Sequence, residues 1–247
     1  MQTTTGSRVA PVINYGGRAK LGMMFPSSNT IAEPQITAML PAGVSLHTTR
    51  LRLRNGRDAM GMLEQLEEAT ELLADGGVDR LIFHCTAVTT SSPGISAEIA
   101  KRVAAITPIP LTITSDAIVE ALRVLGASKV VMVTPYEQNV NDTEVAFLAH
   151  HGVGVLREIG LGLSGGREMG AITPEQWVRE TVALRDPAAD AYFLSCTAIR
   201  SADVIDTLEE TLGKPVITSN QATLWRALRE SGINDSIPGF GRLLRDF

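Results

Sequence analysis

Short apolar runs alternate along this chain with helix-length stretches of mixed polarity. Runs of strand length fall at Leu21–Phe25, Val44–Leu53, Arg80–His84, Ile109–Ile113, Lys129–Val133, Gly154–Ile159, Ala191–Ser195 and Pro215–Thr218. The clearest helical pattern is Asp58–Leu73. There Met60, Leu63, Leu66, Ala69, Leu72 and Leu73 recur near helical spacing, with Asp58 placed to cap the first turn. Thr173-Pro174-Glu175 marks another helix start, with Thr173 as cap and Pro174 at the first helical position. Strands that are apolar throughout are buried on both faces, so the rhythm predicts an α/β fold built on parallel sheet with helices covering it.

Comparing the chain with itself shows a repeat. Residues 80–88 read RLIFHCTAV and residues 191–199 read AYFLSCTAI, so each is an apolar strand ending in Cys-Thr-Ala. Downstream of the first lies PLTITS (110–115) and then a helical stretch ending in Ala-Leu-Arg at 121–123. Downstream of the second lies PVITS (215–219) and then a helical stretch ending in Ala-Leu-Arg at 227–229. Two copies are too few for a solenoid. They predict two related α/β halves, one carrying Cys85 and the other Cys196. We place the first half at 20–115 together with 225–247, the second at 116–224, and a mobile N-terminal tail at 1–19.

Composition narrows the chemistry. A hydrophobic content of 44% and a charged content of 20% suit a packed core. A net charge of −5 argues against a nucleic-acid or membrane-surface partner, which would want a basic face. No apolar run approaches the ~20 residues that span a bilayer, and the first residues contain no apolar secretion signal. Two cysteines are too few for a disulfide framework or a four-thiolate zinc site. With no HExxH or CxxC and only four histidines, we expect no metal, a reducing cytoplasm, and a function that uses the thiols themselves.

Ligands in parallel α/β sheets collect beyond the carboxyl ends of the strands, where both cysteines sit. If the halves face each other about a pseudo-two-fold axis, the two sulfurs share one cleft. Each is followed by a helix start, whose N–H groups lower a thiol pKa and attract an anion. One sulfur can then attack carbon or take a proton while the other gives a proton. A pair of buried structural cysteines, or a redox pair, is the blander account.

The cysteine motifs, Pro26-Ser27-Ser28-Asn29-Thr30 after the first strand, Thr134-Pro135-Tyr136 with Asn141, PVITSN (215–220) and PGFGRLL (238–244) together resemble the aspartate/glutamate racemase superfamily. Within it they most resemble the maleate cis-trans isomerase and arylmalonate decarboxylase branch, from about Ala19 to Arg242. The resemblance implies two Rossmann-like (flavodoxin-like) halves and no cofactor. It implies Cys85 as nucleophile, Cys196 as general acid/base, and a small carboxylate or dicarboxylate substrate. Ser27, Asn29, Thr86, Ala87, Tyr136, Asn141, Thr197 and Ala198 become substrate-binding candidates, and a homo-oligomer is expected. Maleate to fumarate is the leading reaction. An amino-acid or hydantoin racemase, an arylmalonate-type decarboxylase and a non-catalytic acid-binding protein are the alternatives. Two features bear on that choice. Gly165-Gly166 stands where maleate isomerases carry an Asp-Asn pair. The decarboxylase branch usually keeps only the second cysteine, so having both favours isomerase or racemase chemistry.

Other signals carry less. GLGLSG (160–165) fits G-x-G-x-x-G, but the next clear helix start is Thr173, so we expect a flexible glycine loop, a possible lid, rather than a dinucleotide site. Arg50 and Arg52 alternate with Leu51 and Leu53, as on a half-exposed strand, or as a guide for a dicarboxylate. His84 points away from Cys85 on its strand and reads as a packed histidine. His150 and His151 close a helix before Gly152.

Overall fold

The computed structural model describes residues 13–53 and 59–247. The strands are β1 (Ala19–Pro26), β2 (Val44–Leu51), β3 (Arg80–Phe83), β4 (Leu111–Ile113), β5 (Lys129–Tyr136), β6 (Gly154–Leu163), β7 (Ala191–Leu194) and β8 (Val216–Thr218). The helices are α1 (Ala32–Met39), α2 (Ala59–Leu63), α3 (Leu66–Asp75), α4 (Thr86–Thr89), α5 (Ile95–Ala104), α6 (Thr114–Val124), α7 (Gln138–His150), α8 (Gly166–Ala171), α9 (Pro174–Ala183), α10 (Ile205–Leu212), α11 (Ser219–Glu230) and α12 (Gly241–Asp246). All strand pairs are parallel, and they form two four-stranded sheets in the orders β2-β1-β3-β4 and β6-β5-β7-β8. The second order is the first advanced by four strands, which is the doubling expected from the cysteine repeat.

Alternation along each strand sends its side chains to two different cores. Met23, Phe25, Ile82, Val130, Met132, Phe193 and Ile217 face a central core shared by the two sheets, filled by α1, α6 and α11. Met24, Leu81 and Phe83 face outward onto α3 and α5. Val131, Val133, Tyr192 and Leu194 face outward onto the α8–α10 side. Strands buried on both faces need apolar residues at every position, so they appear in sequence as unbroken runs.

The repeat reaches further than the cysteine strands. Asp79 and Asp190 each precede their strand, and their carboxylates accept the backbone N–H of Lys20 and Lys129 at 2.7 and 2.8 Å. At the other end, His84 N–H donates to Met24 O and Ser195 N–H donates to Val133 O, both at 2.9 Å.

Two sequence expectations are corrected. The helix expected over 58–73 is two helices, α2 and α3, broken at Gln65 (φ −107°, ψ 7°). The Gln65 side chain turns back to bond the carbonyl of Gly61 and the backbone of Arg52, which fixes the break. Asp58, its expected cap, lies outside the described residues, as do 1–12 of the expected tail. The glycine loop expected over 160–165 is largely strand: Gly160–Leu163 complete β6, and α8 begins at Gly166. Glycine is needed at 160 because a Cβ there would lie 2.3 Å from the Tyr136 carbonyl oxygen. Thr173 does cap α9, accepting from Gln176 N–H, with Pro174 at the first turn.

Candidate active site

Both cysteines lie at the carboxyl end of a central strand and are buried. Cys85 is extended (φ −157°, ψ 109°) and is the residue from which α4 starts. The N–H groups of Ala87 and Val88 point at its sulfur and favour the thiolate, yet burial outweighs them and pushes the thiol up to about 11. Cys196 has φ 153°, the one positive φ at a non-glycine residue among those described. Such a conformation costs an L-residue on the order of 1–3 kcal/mol and is retained where the surroundings enforce it. Ala198 N–H donates to its sulfur at 3.2 Å. The Tyr136 hydroxyl also bonds it, but burial again wins and holds the thiol up at about 12. Each thiol therefore rests protonated.

The two cysteine loops are tied together by the start of α11. Ser219 Oγ accepts both the Thr86 hydroxyl at 2.9 Å and the Cys196 N–H at 3.1 Å. The next residue, Asn220, donates through Nδ2 to the Thr197 carbonyl and to Gln35. Its Oδ1 lies 2.8 Å from His84 Nε2. These bonds place Cys85-Thr86 and Cys196-Thr197 on opposite sides of one hydroxyl. Electrostatic repulsion between the sulfurs, which raises Cys196, reflects the same closeness.

The other sequence candidates divide into two sets. Asn29, Thr86, Tyr136, Thr197 and Ala198 join the thiols as a buried group, with Ala87 half-buried at its edge. Asn29 crosses between the halves: Oδ1 accepts from Ile31 and Ala32 N–H at the start of α1, and Nδ2 donates to Thr197 Oγ1 at 3.1 Å. Arg50 supports this loop, donating to the Asn29 carbonyl, stacking over Phe25 and pairing with Glu33. Ser27 is exposed and accepts from Leu53 N–H. Asn141 is buried, with Oδ1 bonded by Thr134 and Nδ2 bonded to Glu158. It joins α7 to β5 and β6.

Several residues of the site escaped sequence reasoning. Ser219 and Asn220 stood in the repeat and in the PVITSN motif but were not named as site residues. Met169 reaches Cys196, sulfur to sulfur, at 4.0 Å. It is carried there because α8 docks through glycine: a Cβ on Gly166 would meet Ser28 Oγ at 2.9 Å, and one on Gly170 would meet Ile31 at 3.0 Å. Glu144 is buried beside Ser195, and nothing in its surroundings in sequence marks it. A cavity of about 720 Å³ lies elsewhere, between the α4–α5 turn and α7. No cluster of three or more potential metal ligands occurs among the described residues.

His84 is packed as its strand position suggested. Both ring nitrogens are bonded, to Thr114 Oγ1 at 2.9 Å and to Asn220. Asn220 spends its amide hydrogens on Gln35 and Thr197, so its oxygen faces the ring and accepts from Nε2–H. Burial drives its pKa down to about 4, so the ring is neutral at neutral pH and carries its proton on Nε2. Unfolding frees the ring to titrate near its ordinary value of about 6.5. Between these values the unfolded chain binds a proton that the folded chain does not, so the His84 contribution is full above about 6.5 and is lost as pH falls toward 4. The loss amounts to about 3 kcal/mol. Urea unfolding of wild type and His84→Asn across this range checks it: the stability gap between them should shrink by that amount as pH drops.

Two parallel-sheet halves with a buried thiol at the same strand end of each mark the class: two-half α/β enzymes. Within that class the chain belongs to the arylmalonate decarboxylase family, whose model matches residues 21–244. It is 30% identical over 242 residues to the maleate isomerase of Nocardia farcinica, covering 93% of this chain and 96% of the relative. It is 34% identical to the arylmalonate decarboxylase of Bordetella bronchiseptica over 140 residues, 56% of this chain and 58% of that one. Among solved structures, a Pseudomonas putida maleate isomerase superposes with a TM-score of 0.88 at 25% identity, covering 92% of this chain and 98% of that one. A Nocardia farcinica maleate cis-trans isomerase mutant carrying a covalently bound succinylcysteine intermediate superposes with a TM-score of 0.87 at 27% identity, covering 93% and 99%.

Proposed function

We propose that this protein is a maleate cis-trans isomerase whose two thiols carry the reaction. The observation that carries this reading is the pairing of Cys85 and Cys196 across Ser219 at equivalent strand ends. The Cys85 thiol first gives its proton to solvent; the thiolate, held by the two N–H groups, then attacks one alkene carbon, and the alkene electron pair moves to the neighbouring carbon as its carboxylate takes up charge. The Cys196 thiol protonates that carbon, leaving a succinyl group on Cys85. The former double bond is now single and rotates. The Cys196 thiolate then removes a proton from the same carbon, the alkene re-forms, and the C–S bond to Cys85 breaks to release fumarate.

The surrounding residues support each step. Ala87 and Val88 N–H groups hold the Cys85 thiolate. Ala198 N–H and the Tyr136 hydroxyl hold the Cys196 thiolate. Asn29 Nδ2 carries a second hydrogen besides the one given to Thr197, and in this reading it binds a substrate carboxylate. Free thiols at both positions suit a reducing cytoplasm, and no helix among the described residues is long and apolar enough to cross a membrane. Exposed Leu72 on α3 and Leu156 on β6 fit a homo-oligomer.

A racemase is the second reading, favoured by Gly165-Gly166. Gly166 packs closely against Ser28 and carries no side chain, so no amide from that position reaches a second carboxylate. Proton NMR of a maleate incubation in deuterated buffer separates the two. Loss of the maleate signal with growth of fumarate supports the isomerase. An unchanged maleate signal, with deuterium entering the α-carbon of an amino acid or hydantoin, supports the racemase instead.

A further inference from the structure

The residue before each cysteine faces the shared core, and the two positions are furnished differently. Before Cys85, both nitrogens of His84 are bonded. Before Cys196, the Ser195 hydroxyl donates to Oε1 of Glu144, which α7 buries to 1% exposure. The second oxygen, Oε2, has no hydrogen-bond partner. A carboxylate with an unbonded oxygen in a dry core is strongly disfavoured, whereas a carboxylic acid there is tolerable.

We propose that Glu144 is a positioning residue for the acid of the reaction: bonded through Ser195 to the strand end that carries Cys196, it controls how readily Cys196 gives up its proton. The neutral acid leaves the thiol free to release its proton to the substrate carbon. The ionised form puts a second negative charge near the sulfur and holds the proton on it. Burial pushes the Glu144 pKa up to about 7, with the Ser195 bond pulling the other way, so both forms are populated near neutrality. Cys196 and Tyr136 both register a negative charge at this position as an upward push.

The other titratable groups on the elements packed against α7 are otherwise engaged. Tyr136, on β5, bonds the Cys196 sulfur. On β6, Glu158 accepts from Asn141 and Gln138. Lys129 and Arg157 are exposed, and on α7 itself His150 is exposed and Asp142 accepts from Gln138.

The role assigned to Glu144 rests on Cys196 being the acid, but its test needs no turnover. In a Cys85→Ala background Cys196 is the one remaining cysteine, and its alkylation by iodoacetamide follows the thiolate fraction. The logarithm of the rate should rise with pH, flatten near neutrality as Glu144 ionises, then resume its rise about tenfold below the first line. Glu144→Gln should remove the inflection and react about tenfold faster at high pH, with circular dichroism unchanged. Glu144→Asp, which keeps a carboxyl, should keep an inflection. A straight line in the Cys85→Ala protein, or an inflection that survives Glu144→Gln, overturns the proposal. Should Glu144→Gln fail to fold, the parent profile and the aspartate variant still decide. A protein that isomerises maleate yet gives a straight line refutes Glu144 alone.

Discussion

Cys85→Ala is expected to reduce maleate turnover by about 10⁴-fold or more, to the limit of an NMR assay for fumarate. Nothing nearby can replace the sulfur. His84 faces the shared core with both nitrogens bonded. Tyr136 is held far above its ordinary pKa by burial and by the neighbouring sulfurs. Cys196 belongs to the other half and serves the other carbon. Cys85→Ser should lose nearly as much, because a hydroxyl needs far more base to ionise and the two N–H groups that hold a thiolate cannot make up the difference. The fold should survive both changes. Removing one small buried side chain costs on the order of 1 kcal/mol, and the loop remains tied by Thr86 to Ser219. Near-wild-type turnover by Cys85→Ala would end the two-thiol scheme.

Much of the architecture was legible because the physics that forms it is local. The inner strands β1, β3, β5 and β7 are buried almost throughout and stood out as apolar runs, the half-exposed edge strands β2 and β6 less so, and the repeat marked the two halves but not the strand order within them. What sequence could not supply was every feature set by a distant contact. The break at Gln65 depends on its side chain finding Arg52, across a strand end. The ordered Gly160–Leu163 segment depends on the Tyr136 carbonyl lying where a Cβ would sit. The glycines looked like freedom and are instead close approach.

The site divides in the same way. The thiols, and the threonines and alanines after them, were found because a repeat marks equivalent positions without any alignment of relatives. Asn29 and Tyr136 were found through motif resemblance and do lie with the thiols. Ser27 and Asn141 came from the same motifs, but their side chains serve the chain itself, at Leu53 in one case and at Thr134 and Glu158 in the other. Glu144 was invisible. On a helix of mixed polarity a glutamate looks like a solvated side chain, and its partner Ser195 lies 51 residues away.

Cys196→Ser or Cys196→Ala should trap the reaction on Cys85, as a gain of one maleic acid per chain in the intact mass. Two steps need Cys196, and they fail differently. In the forward direction the carbanion formed by attack can still take a proton from water that enters the enlarged space, so the succinyl thioether forms slowly. In the release direction a base must remove a proton from carbon, and no group left in the site does so. Tyr136 is protonated, and Glu144 reaches this end of the strand only through Ser195. Addition therefore continues while elimination stops, and turnover should fall by about 10³-fold or more. Peptide mapping should place the adduct on the tryptic fragment that contains Cys85. The expectation is asymmetric, which gives it its force. A racemase with the same two sulfurs would exchange protons at carbon and hold no covalent adduct in either variant. An isomerase in which Cys196 were the nucleophile would accumulate its adduct in Cys85→Ala instead.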